Sequence, residues 1–154
     1  MKTNSTRSLK WLTGVTMIFG AIYLLTVGAQ TCGVFIGKQP VVWQDEIKIL
    51  QGAIAIFRFL GAAATVGCVI AFLMNSIKAL KNGVLFPRKN VGILFATAAA
   101  SFILIWCGSN IHIVFGSRSL NLGLEEILVP VVICAFAIIY RVAVHVSEEN
   151  NLTI

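Results

Sequence analysis

The sequence predicts an all-α membrane fold, with four transmembrane helices packed as a bundle and both termini in the cytoplasm. Three observations predict it. Of the 154 residues, 58% are apolar and 12% charged, where soluble domains carry about 45–50% and about 25%. Four apolar stretches, at 11–29, 53–77, 91–115 and 127–146, each reach the ~17–25 residues that cross hydrocarbon as a helix. Lysine and arginine are concentrated on one side of those stretches. A mean hydropathy of +0.90 excludes a soluble domain, a disordered tail and a disulfide-built miniprotein. Four spans leave only connecting segments, so residues 1–154 read as a single transmembrane domain. A β-barrel would alternate in polarity, and the runs Phe57–Leu60 and Val129–Tyr140 do not.

The first span opens on a basic arm and contains Val27-Gly28-Ala29, the outline of a secretory signal. Its apolar core from Trp11 to Ala29 exceeds the ~7–15 residues of a signal's apolar region. Gln30-Thr31 before Cys32 do not suit a lipoprotein site. A retained helix is expected. The following 30–52 segment contains Trp43 and an amphipathic stretch, Val41–Leu50, expected to lie as a short helix on the outer surface.

Asn82-Gly83 suits the end of the second helix and Pro87 the start of the third. Pro130 falls early in the fourth span, where a missing amide costs least. Glu125 and Glu126 stand at its N-terminal end, where acids favour the helix dipole. Gly92, Ala96, Ala99 and Ala100 in the third span, and Gly61, Thr65 and Cys68 in the second, form small faces along which helices approach closely in lipid. Intramolecular packing accounts for them most simply, and oligomerisation stays open.

Charge fixes the orientation. The N-terminal arm holds Lys2, Arg7 and Lys10, the connection after the second span Lys78, Lys81, Arg88 and Lys89, and the end of the fourth span Arg141. The opposite side holds Lys38, Lys48, Arg118 and Arg58, with the acids Asp45, Glu46, Glu125 and Glu126. The excess of positive residues places both termini and the 78–90 connection inside. The net charge of +6 then faces the anionic headgroups of the cytoplasmic leaflet. Direct nucleic-acid binding is not expected, because no groove-reading element is present.

Arg58 is the most informative single residue, since an ionisable group within a span is by default a functional candidate. It serves either as a snorkelling anchor paired with Asp45, Glu46, Glu125 or Glu126, the simpler account, or as a ligand- or ion-binding cation. Ser109, Asn110 and His112 group near the outer end of the third span, as a polar cap or as a titrating sensor. His145 sits near Arg141 and Glu148. Neither histidine has metal-ligand neighbours at helical or finger spacing, so no metal site is predicted. Cys32, Cys68, Cys107 and Cys134 include no CxxC pair. No catalytic motif and no paired intramembrane carboxylate occurs. Neither catalytic residues nor a cofactor are predicted.

The 78–90 connection carries Gly83, Phe86 and Asn90 in the pattern G-x-x-F-x-x-x-N, and the tail runs Ser147-Glu148-Glu149-Asn150-Asn151-Leu152-Thr153-Ile154. With four spans in this length, these features resemble domain-of-unknown-function family 2975, small bacterial integral membrane proteins, across nearly the whole chain. Members are similar in the Gly/Phe/Asn connection and in an ending close to Glu-Asn-x-Leu-Thr-Ile. Here an extra asparagine puts Asn150 or Asn151 where Asp is often found. The resemblance implies a four-helix protein of the bacterial cytoplasmic (inner) membrane without an assigned activity. Because some members are encoded beside small helix-turn-helix regulators, it also implies such a regulator as a partner.

On physical grounds alone, Gly83 reverses the chain, Phe86 plugs into the interface, and Asn90 bonds backbone near the start of the third helix. The same residues make either a well-formed turn or a docking site. Leu152 and Ile154 either dock, as an added strand or beneath the bundle, or fray. Two functions are thus expected: a non-enzymatic membrane partner or sensor acting through a cytoplasmic regulator, or a small transporter or channel component using Arg58, Asn110 and His112.

Overall fold

The computed structural model describes the backbone of residues 2–39 and 41–152 and the side chains of 7–39 and 41–149. Among them it is all-helical: α1 (Lys2–Ile36), α2 (Lys48–Lys81), α3 (Lys89–Ser109) and α4 (Leu124–Leu152), with a 3₁₀ turn at Ile111–Ile113. All four helices are long and apolar enough to cross a membrane. In apolar surroundings every backbone polar group must find an internal partner, which a helix provides. The hydroxyls follow the same rule. Thr13, Thr26, Thr65, Ser76 and Thr97 each donate to the carbonyl four residues earlier, at 2.8–2.9 Å.

The helices alternate in direction and pack in series. Among the described residues α1 packs on α2, α2 on α3 and α3 on α4, while α1 and α4 share no backbone contact. Alternation brings the start of α1, the 82–88 connection and the end of α4 to one end of this open bundle. The connections 37–47 and 110–123 share the other. Large apolar side chains face outward along the whole length, among them Trp11 (71% exposed), Leu25 (73%) and Phe136 (62%). Water would not tolerate so much contiguous apolar surface, but lipid would.

Helix ends follow local chemistry. Gly83 takes φ +81° just beyond α2, and the Val84 amide returns to the Ala79 carbonyl at 2.9 Å, closing the helix through a left-handed residue. Glu125 and Glu126 occupy the first turn of α4, with Pro130 inside the helix. The Gly123 N–H donates to Glu126 Oε2 at 2.7 Å, securing that first turn.

Three expectations change. The amphipathic 41–50 stretch is not a surface helix: residues 41–44 are irregular, 45–47 turn, and helix begins at Lys48. Its side chains are drawn onto the 110–116 turn by the glutamine bonds described below. The 91–115 run is likewise not one rod, because α3 stops at Ser109 and the chain turns back at Asn110. Finally, the small face expected on α3 is not its packing face. Gly92 has open space at its Cβ position, and Ala96 and Ala99 are exposed. Of the expected face only Ala100 is buried, alongside Asn90, Thr97, Ala98, Ser101 and Cys107. On α2, by contrast, Gly61 is a true close approach: a Cβ there would lie 2.9 Å from the Leu104 amide nitrogen and 3.1 Å from its Cα.

Candidate functional site

The end carrying the 37–47 and 110–123 connections is the more ordered in hydrogen bonding, and one amide organises it. Gln51, in the first turn of α2, is completely buried. Its Nε2 donates to the carbonyls of Val42 and Ile113, both at 2.9 Å. Its Oε1 accepts the Gln44 amide at 3.1 Å. Gln44 extends the network, donating from Nε2 to the Gly116 carbonyl at 2.9 Å and accepting at Oε1 from Arg118 Nε at 3.2 Å. Gly116 takes φ +101°, with Val42 against it at 3.3 Å from the position of a Cβ. Around this network Val34, Ile54, Ala55, Cys107, Ile113 and Val114 form a buried apolar cluster. Gln51 was not singled out by sequence reasoning. Its one signal is a lone amide at the margin of an apolar run.

Asn110 is buried and fully committed. Nδ2 donates to the carbonyls of Trp106 (2.9 Å) and Asn121 (2.8 Å), and Oδ1 accepts the Asn121 amide at 2.8 Å. It ends α3 and binds the loop leading to α4. His112 places Nδ1 2.8 Å from the Ser109 carbonyl and Nε2 2.8 Å from the Ser119 carbonyl. Either nitrogen, when protonated, ties a carbonyl of this turn. Both residues hold the 110–123 connection together as a platform, and neither lines a cavity described below.

Arg58 does line one. A cavity of about 330 Å³ beneath the platform is bounded by Gln30, Thr31, Gln39, Arg58, Ile111 and Phe115, with Val34 and Ala55. Among the described residues Arg58 forms no ion pair and no hydrogen bond. The pairing with an outer acid expected for an anchor does not occur. Glu46 approaches Arg118 at 3.8 Å, and Glu126 caps α4. The Gln30 and Gln39 amides thus border a space in which, among the described residues, the one lining cation lacks a counter-ion.

At the opposite end Phe86 packs edge-on against Tyr140, with ring centroids 5.6 Å apart, and Tyr140 also meets Phe72 at 5.7 Å. Asn90 lies completely buried among them. Its Nδ2 donates to Ser76 Oγ at 2.9 Å, with longer approaches of 3.4 Å to the Phe72 carbonyl and Tyr140 Oη. The expected bond to nearby backbone is replaced by this cross-helix knot, because α3 turns Asn90 toward α2 and α4. Asn90 is thus inaccessible to a partner, whereas Phe86 stays 37% exposed and Gly83 lies at the surface. Leu152 ends α4 as helix, so no strand forms there, and Ile154 lies outside the described residues.

Among the described residues all four cysteines are free, and no three His, Cys, Asp or Glu side chains converge on a common point. No family model, curated protein or solved structure matches the chain.

Proposed function

We propose that this chain is a non-enzymatic, four-span protein of the bacterial cytoplasmic membrane. In this reading it takes a small anionic group into the cavity at Arg58 and presents the 82–88 connection to a cytoplasmic regulator. The observation that carries the proposal is Arg58 itself, an unpaired guanidinium held among Gln30, Thr31 and Gln39 in a cavity between helices. An isolated cation in an apolar segment is unfavourable, and such residues mark ligand or ion sites. A carboxylate or phosphate oxygen would supply the missing charge, with the neighbouring Gln30 and Gln39 amides adding hydrogen bonds. α2 then joins the two ends. It runs unbroken for 34 residues, about 51 Å at 1.5 Å per residue, from the buried Gln51 through Arg58 to the turn at Gly83. The resemblance of the Gly83/Phe86/Asn90 connection and the acidic tail to family 2975 supports the bacterial inner membrane and the regulator as partner.

Arg58→Leu tests the cavity. Purified protein in nonionic detergent is melted in acetate, phosphate or sulfate against chloride at matched ionic strength. One anion is expected to raise the wild-type melting temperature, and at 100 times Kd the stabilisation reaches about 2.7 kcal/mol. Arg58→Leu should remove that gain while leaving the ligand-free protein as stable or more so, since an unpaired charge leaves an apolar helix. Arg118→Gln, in the exposed network, should keep the gain. An anion response unchanged in Arg58→Leu refutes the site.

The orientation follows from the distribution of Lys and Arg and is checked separately. Green fluorescent protein fused at either terminus should fluoresce, and alkaline phosphatase joined after Leu120 should be active in the periplasm. The reverse pattern would invert the proposed topology.

A further inference from the structure

Where α3 begins and α4 ends, a groove of about 650 Å³ runs between them. Its polar end is formed by Arg88, Arg141 and His145, facing a single lining acid, Glu148. Arg88 and Arg141 have no ion pair among the described residues, while His145 approaches Glu149 at 3.3 Å. The start of α3 adds to the positive field. Its first turn contains no acid and Arg88 supplies no side-chain cap, so although the Asn90 and Val91 amides bond the Pro87 and Arg88 carbonyls, no negative side chain offsets the helix dipole there. Toward the middle of the helices the groove becomes apolar at Val91 and Ile138. A second furrow of about 670 Å³, walled by Leu85, Phe86 and Val146, shares Ile138 and Val142 with the first. Those two side chains form a ridge with a channel on either side.

The geometry points to a seat for one anionic diacyl phospholipid, its phosphate between Arg88 and Arg141 and one acyl chain in each channel. Charge complementarity selects the occupant. Two guanidinium groups beside a helix start without an acid favour a phosphodiester, and the paired channels favour a molecule with two hydrocarbon tails. From Ile138 to His145 α4 rises about 10 Å at 1.5 Å per residue, enough to separate headgroup from first methylenes. This inference rests on membrane insertion, proposed above, but not on which end faces the cytoplasm.

The test uses the full-length protein in mild nonionic detergent, presented with phosphatidylglycerol and phosphatidylcholine of identical chains, with retained lipid read by native mass spectrometry. Each arginine near an anionic surface contributes about fivefold, so the wild type is expected to favour phosphatidylglycerol by about 25-fold. Arg88→Gln with Arg141→Gln should fall to near parity. Both side chains are exposed, so the variant is expected to fold. Should it not, Arg141→Gln alone is expected to lose about fivefold. Lys78→Gln with Lys81→Gln, at the same end but outside the groove, should keep most of the preference.

A folded arginine variant that keeps the preference, or a lysine variant that loses as much, overturns the seat. Displacement of bound lipid by millimolar inorganic phosphate would assign the groove to a free anion and equally overturn it. A chain that stays soluble without detergent refutes insertion itself, whereas an inserted chain without lipid preference refutes only the groove.

Discussion

Gln51→Leu is expected to unlatch the platform from α2 and to produce one of the two largest losses of stability in the molecule. Leucine fills nearly the same volume but makes no hydrogen bond. It would leave the Val42 carbonyl and the Gln44 amide without the partner they have now, and the Ile113 carbonyl with the Gly116 amide alone. Each buried polar group so abandoned costs about 1–3 kcal/mol. Water entering the platform would recover part of that, so a net loss of about 2–3 kcal/mol is expected. The effect should also be local. The amides of Val114, Phe115 and Gly116, which bond within the 111–116 turn, should lose exchange protection well before those of α3. An unchanged melting temperature with unchanged protection in the turn would show that Gln51 is not the latch.

Gly61→Leu is the second. The Cβ position at Gly61 already falls 2.9 Å from the Leu104 amide nitrogen, a backbone atom that cannot rotate aside. Overpacking typically costs about 1–3 kcal/mol and occasionally more. A four-carbon side chain against backbone belongs at the upper end, and α2 and α3 must separate to admit it. Gly61→Ala is expected to cost less, about 1–3 kcal/mol. The control is Gly67→Ala. It lies on the same helix with nothing within 4 Å of its Cβ position, and alanine should be neutral or stabilising by up to about 1 kcal/mol. Unfolding in sodium dodecyl sulfate titrations, followed by circular dichroism, reads all three. Equal losses at Gly61 and Gly67 would argue against a specific close approach.

The helices themselves were legible because their signal is local. Long apolar runs, Asn82-Gly83 and the Glu125/Glu126 pair each act within a few residues of where they stand. The candidate site was legible only in part. Arg58 announced itself, since a cation in an apolar segment has few explanations. Its lack of a partner did not, because Glu46 and Glu126 find nearer tasks once the loops fold. Gln51 gave almost no sign. Its acceptors lie 9 and 62 positions away, and no periodicity reaches that far. Asn90 was noticed for its spacing from Gly83 and Phe86, yet its contacts with Ser76 and Tyr140 depend on how three helices meet. The small residues of α3 misled for a related reason. Smallness permits close packing on any face, and only the neighbouring helix decides which face is used.

The one-after-another contact order has a consequence for how the polypeptide is assembled. A ring of helices cannot be completed until the last one arrives to meet the first. Among the described residues no such seam exists, so every newly synthesised segment can settle against its immediate predecessor and need not be revisited. Assembly can then proceed hairpin by hairpin from the ribosome, with the outer flanks of α1 and α4 never needing each other.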